Sequence, residues 1–241
     1  MAQNKLHDIA RALVADGKGI LAADESDGTI KKRFDSIGLE TSEENRRAYR
    51  DLLFTTPGAE EYISGVILYD ETIRQSSADG TSFPEMLKTR GILPGIKVDT
   101  GSKPLANDND EQVTEGLDGL RERIAEYVSL GAKFAKWRAV IVIDEARDFP
   151  SDYALHCNAH ALARYGALCQ EGGLVPIIEP EVLMDGSNDI DRGFEVSERA
   201  QRRGCKERNR QGGNAEEVGR KPNGGNTGKG SRPKARQKAG G

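Results

Sequence analysis

Apolar and polar residues alternate along this chain with two different periods. Five short apolar runs end in, or carry, charged residues: GILAAD (19–24), YISGVILYD (62–70), ILPGIKVD (92–99), AKFAKWRAVI (132–141) and LVPIIEPE (174–181). Stretches with helical spacing separate most of these runs; one of them, from Val113 to Val128, is stopped by Gly131. Alternating strands and helices predict a parallel sheet, and in a (β/α) barrel the carboxyl ends of the strands meet at one mouth.

The charged residues of these runs are therefore predicted to share one pocket. They are Asp24, Lys97, Asp99, Lys136, Arg138, Glu179 and Glu181. Lys136 is the most informative, because a lysine inside an apolar strand is costly unless it is paired or lies in a wet pocket. The alternatives are an outward-facing edge residue for Lys136, a loop-capping role for Asp24, and a solvated strand end for Glu179. The pattern as a whole indicates an enzyme.

Capping signals mark the predicted helices. Thr41 and Glu44 fit a capping box ahead of a helix that carries Tyr49. Ser151 is predicted to open a long helix that ends near Gly172 and Gly173.

Charge and composition divide the chain into two parts. Residues 1–191 carry 21 basic and 34 acidic side chains, a net of −13, whereas residues 192–241 carry 14 and 5, a net of +9. From Arg199 onward the only large apolar residue is Val218. We therefore expect a partial barrel over residues 1–191 and a poorly ordered, basic Gly/Arg-rich tail over residues 192–241, because the tail buries too little apolar surface to offset its chain entropy.

Several classes of function are disfavoured. Three cysteines without C-x-x-C spacing fit a reducing, cytoplasmic location, and no apolar run is long enough to span a membrane. His156 and His160 have the i, i+4 spacing of a metal pair but no third ligand, so we expect no metal. The tail lacks aromatic residues for stacking on bases, so we expect no nucleic-acid partner.

Seven stretches together resemble class I fructose-bisphosphate aldolase, the Schiff-base type. They run in order from Gly17 to Gly186: GKGILAADESDGTIKKRF, EENRRAYRDLLFTTPG, YISGVILYDE, GIKVDTG, GLDGLRERIAEY, GAKFAKWRAV and GLVPIIEPEVLMDG. The resemblance implies a (β/α)8 TIM-barrel fold, which is incomplete here, with five convincing strands, a degraded sixth and the last two missing. It also implies a glycolytic lyase that needs no cofactor, splits fructose 1,6-bisphosphate into two triose phosphates and is usually homo-oligomeric.

The resemblance also implies roles for individual residues. Asp24 resembles the base that takes the C4 hydroxyl proton, and Lys136 the lysine whose charge supports the imine chemistry. Glu179 resembles the carboxylate that moves protons as the imine forms and hydrolyses. Three further residues match positions that bind the substrate or its phosphates, although each alone could be an ordinary surface charge: Arg33, Arg46 and Lys97.

The tail departs from the family. Lys221 matches the imine-forming lysine within Lys221-Pro222-Asn223, but Val218-Gly219-Arg220 replaces the apolar strand before it. Valine to glycine, phenylalanine to cysteine and leucine to arginine can each arise from a T-to-G change at the second codon position. We hypothesise that residues 199–241 are a degraded or misread strand-six region. We expect little or no aldolase turnover from this chain, and the alternative is an inactive fragment that binds sugar phosphate or a partner subunit.

Overall fold

The computed structural model describes residues 2–107 and 110–210. Its strands are β1 (Gly19–Ala23), β2 (Ile63–Leu68), β3 (Leu93–Lys97), β4 (Ser102–Pro104), β5 (Gln112–Thr114), β6 (Phe134–Ile141) and β7 (Val175–Val182). Its helices are α1 (Ala2–Leu13), α2 (Asp27–Asp35), α3 (Glu43–Thr55), α4 (Ala59–Tyr62), α5 (Asp70–Ile73), α6 (Phe83–Thr89), α7 (Leu120–Ser129), α8 (Asp152–Gly172) and α9 (Ile190–Arg210).

Within those residues, five strands form a parallel sheet in the order β1-β2-β3-β6-β7. They coincide with the five apolar runs, so the prediction of a curled, barrel-type parallel sheet is confirmed. Strands β4 and β5 form a separate antiparallel hairpin. The prediction that the helix stopped by Gly131 already includes Val113 is wrong, because Val113 lies in β5 and the helix begins at Leu120. A strand of three residues is too short to show a readable alternation.

The two faces of the sheet have different partners. One face packs against helices in the largest apolar cluster, where Trp137 and Tyr165 are fully buried with ring centroids 5.4 Å apart. On the other, concave face, Phe134 packs with Leu13 of α1 and with Ile67. Successive residues of a strand point to opposite faces. Phe134, Lys136 and Arg138 therefore share the concave face, which changes from apolar to charged toward the carboxyl ends of the strands.

Two glycines make room for the Phe134 ring on that face. An added Cβ would lie 2.3 Å from the ring at Gly95 and 3.0 Å from it at Gly65. The apolar floor beneath Lys136 is therefore closed by one aromatic ring that spans three neighbouring strands.

Two helix caps can be compared with their predictions. Ser151 caps α8 as predicted, accepting a hydrogen bond from the Ala154 amide at 3.0 Å. The prediction of Thr41 as the cap of α3 is wrong, because Ser42 has the extended cap conformation and accepts from the Asn45 amide at 3.2 Å. The helix begins one residue later than the capping-box pattern indicated.

Helix α9 continues through the predicted boundary between residues 191 and 192. Val196 and Ala200 are buried on one of its faces. On another, Arg199 and Arg203 bind the Asp152 carboxylate at 2.5 and 2.6 Å. The prediction of poor order from Arg199 onward is therefore wrong for residues 199–210, which continue the helix. Composition did not reveal the side chains of α8 that bind this helix. The rest of the predicted tail lies outside the described residues.

Candidate active site

Lys136 lies at the centre of the charged end of the concave face. Its ammonium Nζ is 3.2 Å from Asp24 Oδ2 at the end of β1 and 3.5 Å from Glu179 Oε1 on β7. The Lys136 and Asp24 side chains are 11% and 9% exposed, whereas Glu179 is 33% exposed. The three predicted residues therefore converge, and the open side of the cluster lies at Glu179.

The pairing explains how an ammonium can be buried here. Burial lowers the pKa of Lys136, but the Asp24 and Glu179 carboxylates outweigh burial and hold that pKa above its ordinary value. Burial raises the pKa of Glu179 despite the opposing charge of Lys136, and Glu181 and Asp24 add to the rise. The carboxylates therefore keep Lys136 in its charged form, whereas burial favours the protonated form of Glu179.

Lys97 and Arg138 flank Lys136 in the sheet. Lys97 is the register partner of Lys136 on β3, and its ammonium donates to Asp99 Oδ1 at 2.5 Å. Asp99 also accepts from the backbone amides of Gly101 and Arg138. The Arg138 guanidinium pairs with Glu181, and this hydrogen bond raises its pKa. The predicted charged residues are thus neutralised in pairs around the central lysine.

The other two predicted anion binders lie on α2 and α3, the two helices that follow β1 in the chain. Arg33 of α2 binds the Glu25 carboxylate and donates to the Tyr49 hydroxyl at 3.0 Å. Arg46 of α3 binds both Glu71 oxygens, with Nε 3.0 Å from Oε1 and Nη2 2.5 Å from Oε2. Among the described residues, no ion pair joins Arg33 or Arg46 to Asp24 or Glu179.

Arg46 also faces an open cleft of about 560 Å³. Its lining combines acidic and basic side chains: Asp27, Lys31, Asp35, Glu40 and Arg46. Arg46 thus lines a surface cleft, and both arginines are already paired with carboxylates.

Three further features of the sequence analysis concern the imine lysine, a metal site and a membrane span. Lys221 lies outside the described residues. In the part of the chain that the structure covers, no group of three side chains could hold a metal ion, although the His156 and His160 rings lie 6.4 Å apart. The same part of the chain contains no helix long and apolar enough to cross a membrane.

Arg50 is a site residue that the sequence analysis missed. Its side chain is 1% exposed, and it donates to the carbonyl oxygens of Ala23 and Glu25 on either side of Asp24. Helical spacing could have identified it, because Arg50 lies four residues before the core residue Phe54 and therefore on the buried face of α3.

A curled parallel sheet with paired charges at the carboxyl ends of its strands is the arrangement of the (β/α)-barrel enzymes. The chain belongs to the class I fructose-bisphosphate aldolase family. The model of that family, described as glycolytic "Fructose-bisphosphate aldolase class-I", matches residues 5–239. The match extends across Lys221.

Individual relatives agree with this assignment. A probable fructose-bisphosphate aldolase class 1 from Xanthomonas axonopodis pv. citri is 61% identical over 198 residues, covering 82% of this chain and 59% of that protein. The cytoplasmic isozyme from Spinacia oleracea is 59% identical over 190 residues, covering 79% of this chain and 53% of that protein. The chain thus spans little more than half the length of these relatives.

A solved structure shows the same fold. Fructose-bisphosphate aldolase from Plasmodium falciparum, in complex with TRAP and a small-molecule inhibitor, superposes with a TM-score of 0.84 at 48% identity. The match covers 86% of this chain and 60% of that one. The described residues therefore adopt the aldolase fold over the part that they share.

Proposed function

We propose that residues 1–191 form the acid–base half of a Schiff-base aldolase site. The reaction is the reversible cleavage of fructose 1,6-bisphosphate into dihydroxyacetone phosphate and glyceraldehyde 3-phosphate, a step of glycolysis. The observation that carries the proposal is the Lys136 ammonium shared between Asp24 and Glu179. Membership of the class I family supports it.

Four charged residues have proposed roles in this reaction. The imine lysine of the family, whose position Lys221 matches, attacks the C2 carbonyl to form an imine and releases water, and the iminium accepts the electron pair of the breaking C3–C4 bond. Asp24 takes the C4 hydroxyl proton as the aldehyde forms. Glu179 moves protons during imine formation and hydrolysis, which its raised pKa favours. Lys136 stays protonated and stabilises the negative charge that develops beside it.

Phosphate binding is assigned to Arg33, Arg46 and Lys97. Each forms an ion pair with a carboxylate, from Glu25, Glu71 and Asp99 respectively. We propose that substrate phosphates compete with these carboxylates, since guanidinium and ammonium groups bind either anion.

A cytoplasmic location is proposed from the spinach cytoplasmic isozyme. Assembly into a homo-oligomer remains a prediction from the family.

Turnover by this chain is expected to be low. An imine-forming lysine must be neutral to attack, whereas an ordinary lysine with a pKa of about 10.4 is neutral in roughly one molecule in 2,500 at pH 7. The sequence before Lys221 lacks the apolar residues that would lower its pKa by burial. The proposed site is therefore tested best where the imine lysine is supplied in its usual setting.

A chimera provides that setting. Residues 1–191 are joined to the remaining carboxyl-terminal part of the Xanthomonas axonopodis relative, and triose-phosphate release is followed with a coupled dehydrogenase. We expect turnover to appear and Lys136→Met to reduce kcat by about 10²–10³-fold, the loss typical of removing one charge-stabilising group. Lys88→Met is the matched control, because Lys88 is exposed and its one ion pair within the described part of the chain is with Glu85. A chimera that folds but is inactive, or one in which Lys136→Met keeps full activity, would contradict the proposal.

A further inference from the structure

Arg50 holds the backbone on both sides of Asp24. From α3, its Nε donates to the Ala23 carbonyl oxygen at 3.2 Å, and its Nη2 donates to the Glu25 carbonyl oxygen at 2.8 Å. Nη2 also lies 3.5 Å from Glu25 Oε2. One planar guanidinium therefore spans the peptide segment that carries the Asp24 carboxylate.

A buried arginine at this position needs a reason beyond packing. Burial lowers the pKa of Arg50, which reflects the cost of removing its charge from water, while the Glu25 carboxylate opposes that effect. An apolar side chain of similar volume commonly fills such a space at equal or lower cost. The guanidinium supplies what an apolar residue cannot, namely two donors fixed in one plane.

The segment from Asp24 to Ser26 lies between β1 and α2 and belongs to neither element. Strand β1 lies at one end of the sheet order and pairs with β2 alone among the described strands. The Ala23 and Glu25 carbonyls beside Asp24 are therefore tied to α3 by Arg50. Tyr49, the preceding residue of α3, holds the same segment by donating to Glu25 Oε1 at 3.2 Å.

We propose that Arg50 is a positioning residue for Asp24, fixing the carboxylate against the Lys136 ammonium by binding the carbonyl oxygens before and after it. Among the described residues, the hydrogen bonds of Arg50 go to Ala23 and Glu25, so it acts through the segment that carries Asp24. The inference rests on the proposed function only for the task that Asp24 performs. The contact between Asp24 and Lys136 is a property of the folded chain.

Arg90 provides a matched control. It also donates to two backbone carbonyl oxygens, those of Phe54 and Thr56, and it also pairs with a glutamate, Glu60. It lies before the amino end of β3, away from the charged mouth. Loss of Arg90 removes the same kinds of bonds while leaving the Asp24 segment intact.

The test reads the titration of Lys136 in the full chain. Lysine side chains are labelled with ¹³C and ¹⁵N, Lys136 is assigned from the signal missing in Lys136→Met, and the ammonium is titrated by NMR from pH 8 upward. In Arg50→Ala, Asp24 should move away from the ammonium, and the Lys136 pKa should fall by about one unit, since an opposite charge at such a distance shifts a pKa by about 1–3 units. Arg90→Ala should leave the Lys136 titration unchanged.

Two additions keep the result decisive. Guanidinium chloride at about 20 mM should refill the space in Arg50→Ala and restore the Lys136 titration, whereas sodium chloride at equal concentration should not. Arg50→Lys keeps the positive charge but lacks the planar guanidinium, so it should also lower the Lys136 pKa. If Arg50→Ala does not fold, Arg50→Lys provides the test.

An unchanged Lys136 titration in a folded Arg50 variant overturns the inference, as does an equal shift in Arg90→Ala. Neither result depends on turnover. Failure of the positioning role is therefore distinguishable from failure of the proposed aldolase function.

Discussion

Gly95→Ala probes the packing that closes the floor of the site. An alanine Cβ at this position would lie 2.3 to 2.5 Å from three ring atoms of Phe134. Unstrained carbon atoms pack about 3.5–4.0 Å apart, so the ring would have to move by about 1 Å. Phe134 is fully buried against Leu13 and Ile67, and a shift of its ring displaces both. Overpacking of this kind costs about 1–3 kcal/mol, and we expect about 3 kcal/mol here.

The assay is the free energy of unfolding in urea. Gly204→Ala is the matched control, because nothing lies within 4 Å of the added Cβ and Gly204 lies within α9. Alanine is favoured over glycine in a helix by about 0.8–1 kcal/mol, so the control should be stabilising. In a Phe134→Leu background, Gly95→Ala should cost at least about 1 kcal/mol less, since residues in contact are energetically coupled. A cost below about 0.5 kcal/mol, or an equal cost in both backgrounds, would refute this packing argument.

Two further predictions concern a helix cap and the thiols. Ser42→Ala should lower the free energy of unfolding by about 1 kcal/mol, because its hydroxyl caps α3, whereas Thr41→Val should be neutral or stabilising; urea unfolding of both variants compares the two candidate caps. Cys169 is fully buried, and burial raises its thiol pKa to about 12, while Cys205 is exposed on α9. An aromatic disulfide reagent should therefore modify Cys205 rapidly and Cys169 only on unfolding; rapid labelling of Cys169 in the native chain would contradict its burial.

The sheet and the central charges could be predicted because their signals are local. An apolar run that ends in a charged residue reports both a strand and its solvent end. In a parallel sheet these ends share one edge. Lys136 carried the strongest signal, since a lysine between apolar residues requires a partner. The convergence of Asp24, Lys136 and Glu179 follows from these two rules.

The features that were missed depend on partners distant in sequence. Helix α9 has little apolar surface, yet its Val196 lies in an apolar cluster with Leu155 of α8, and Asp152 of α8 binds two of its arginines. Arg50 reads as a polar helix residue until the Ala23 and Glu25 carbonyls are placed beside it. The composition of a segment shows how much apolar surface it can bury, but not which side chains or carbonyl oxygens of neighbouring elements will bind it.

The most direct test of the account is borohydride trapping of the imine. The purified chain and the chimera are each incubated with dihydroxyacetone phosphate and sodium borohydride, and adducts are located by mass spectrometry. We expect a stoichiometric adduct on the imine lysine of the chimera, because residues 1–191 supply a competent acid–base site. We expect none at Lys221 of the chain itself, because the sequence before Lys221 lacks the apolar residues that would favour a neutral amine. A stoichiometric adduct at Lys221, or the absence of any adduct in a folded chimera, would contradict the account.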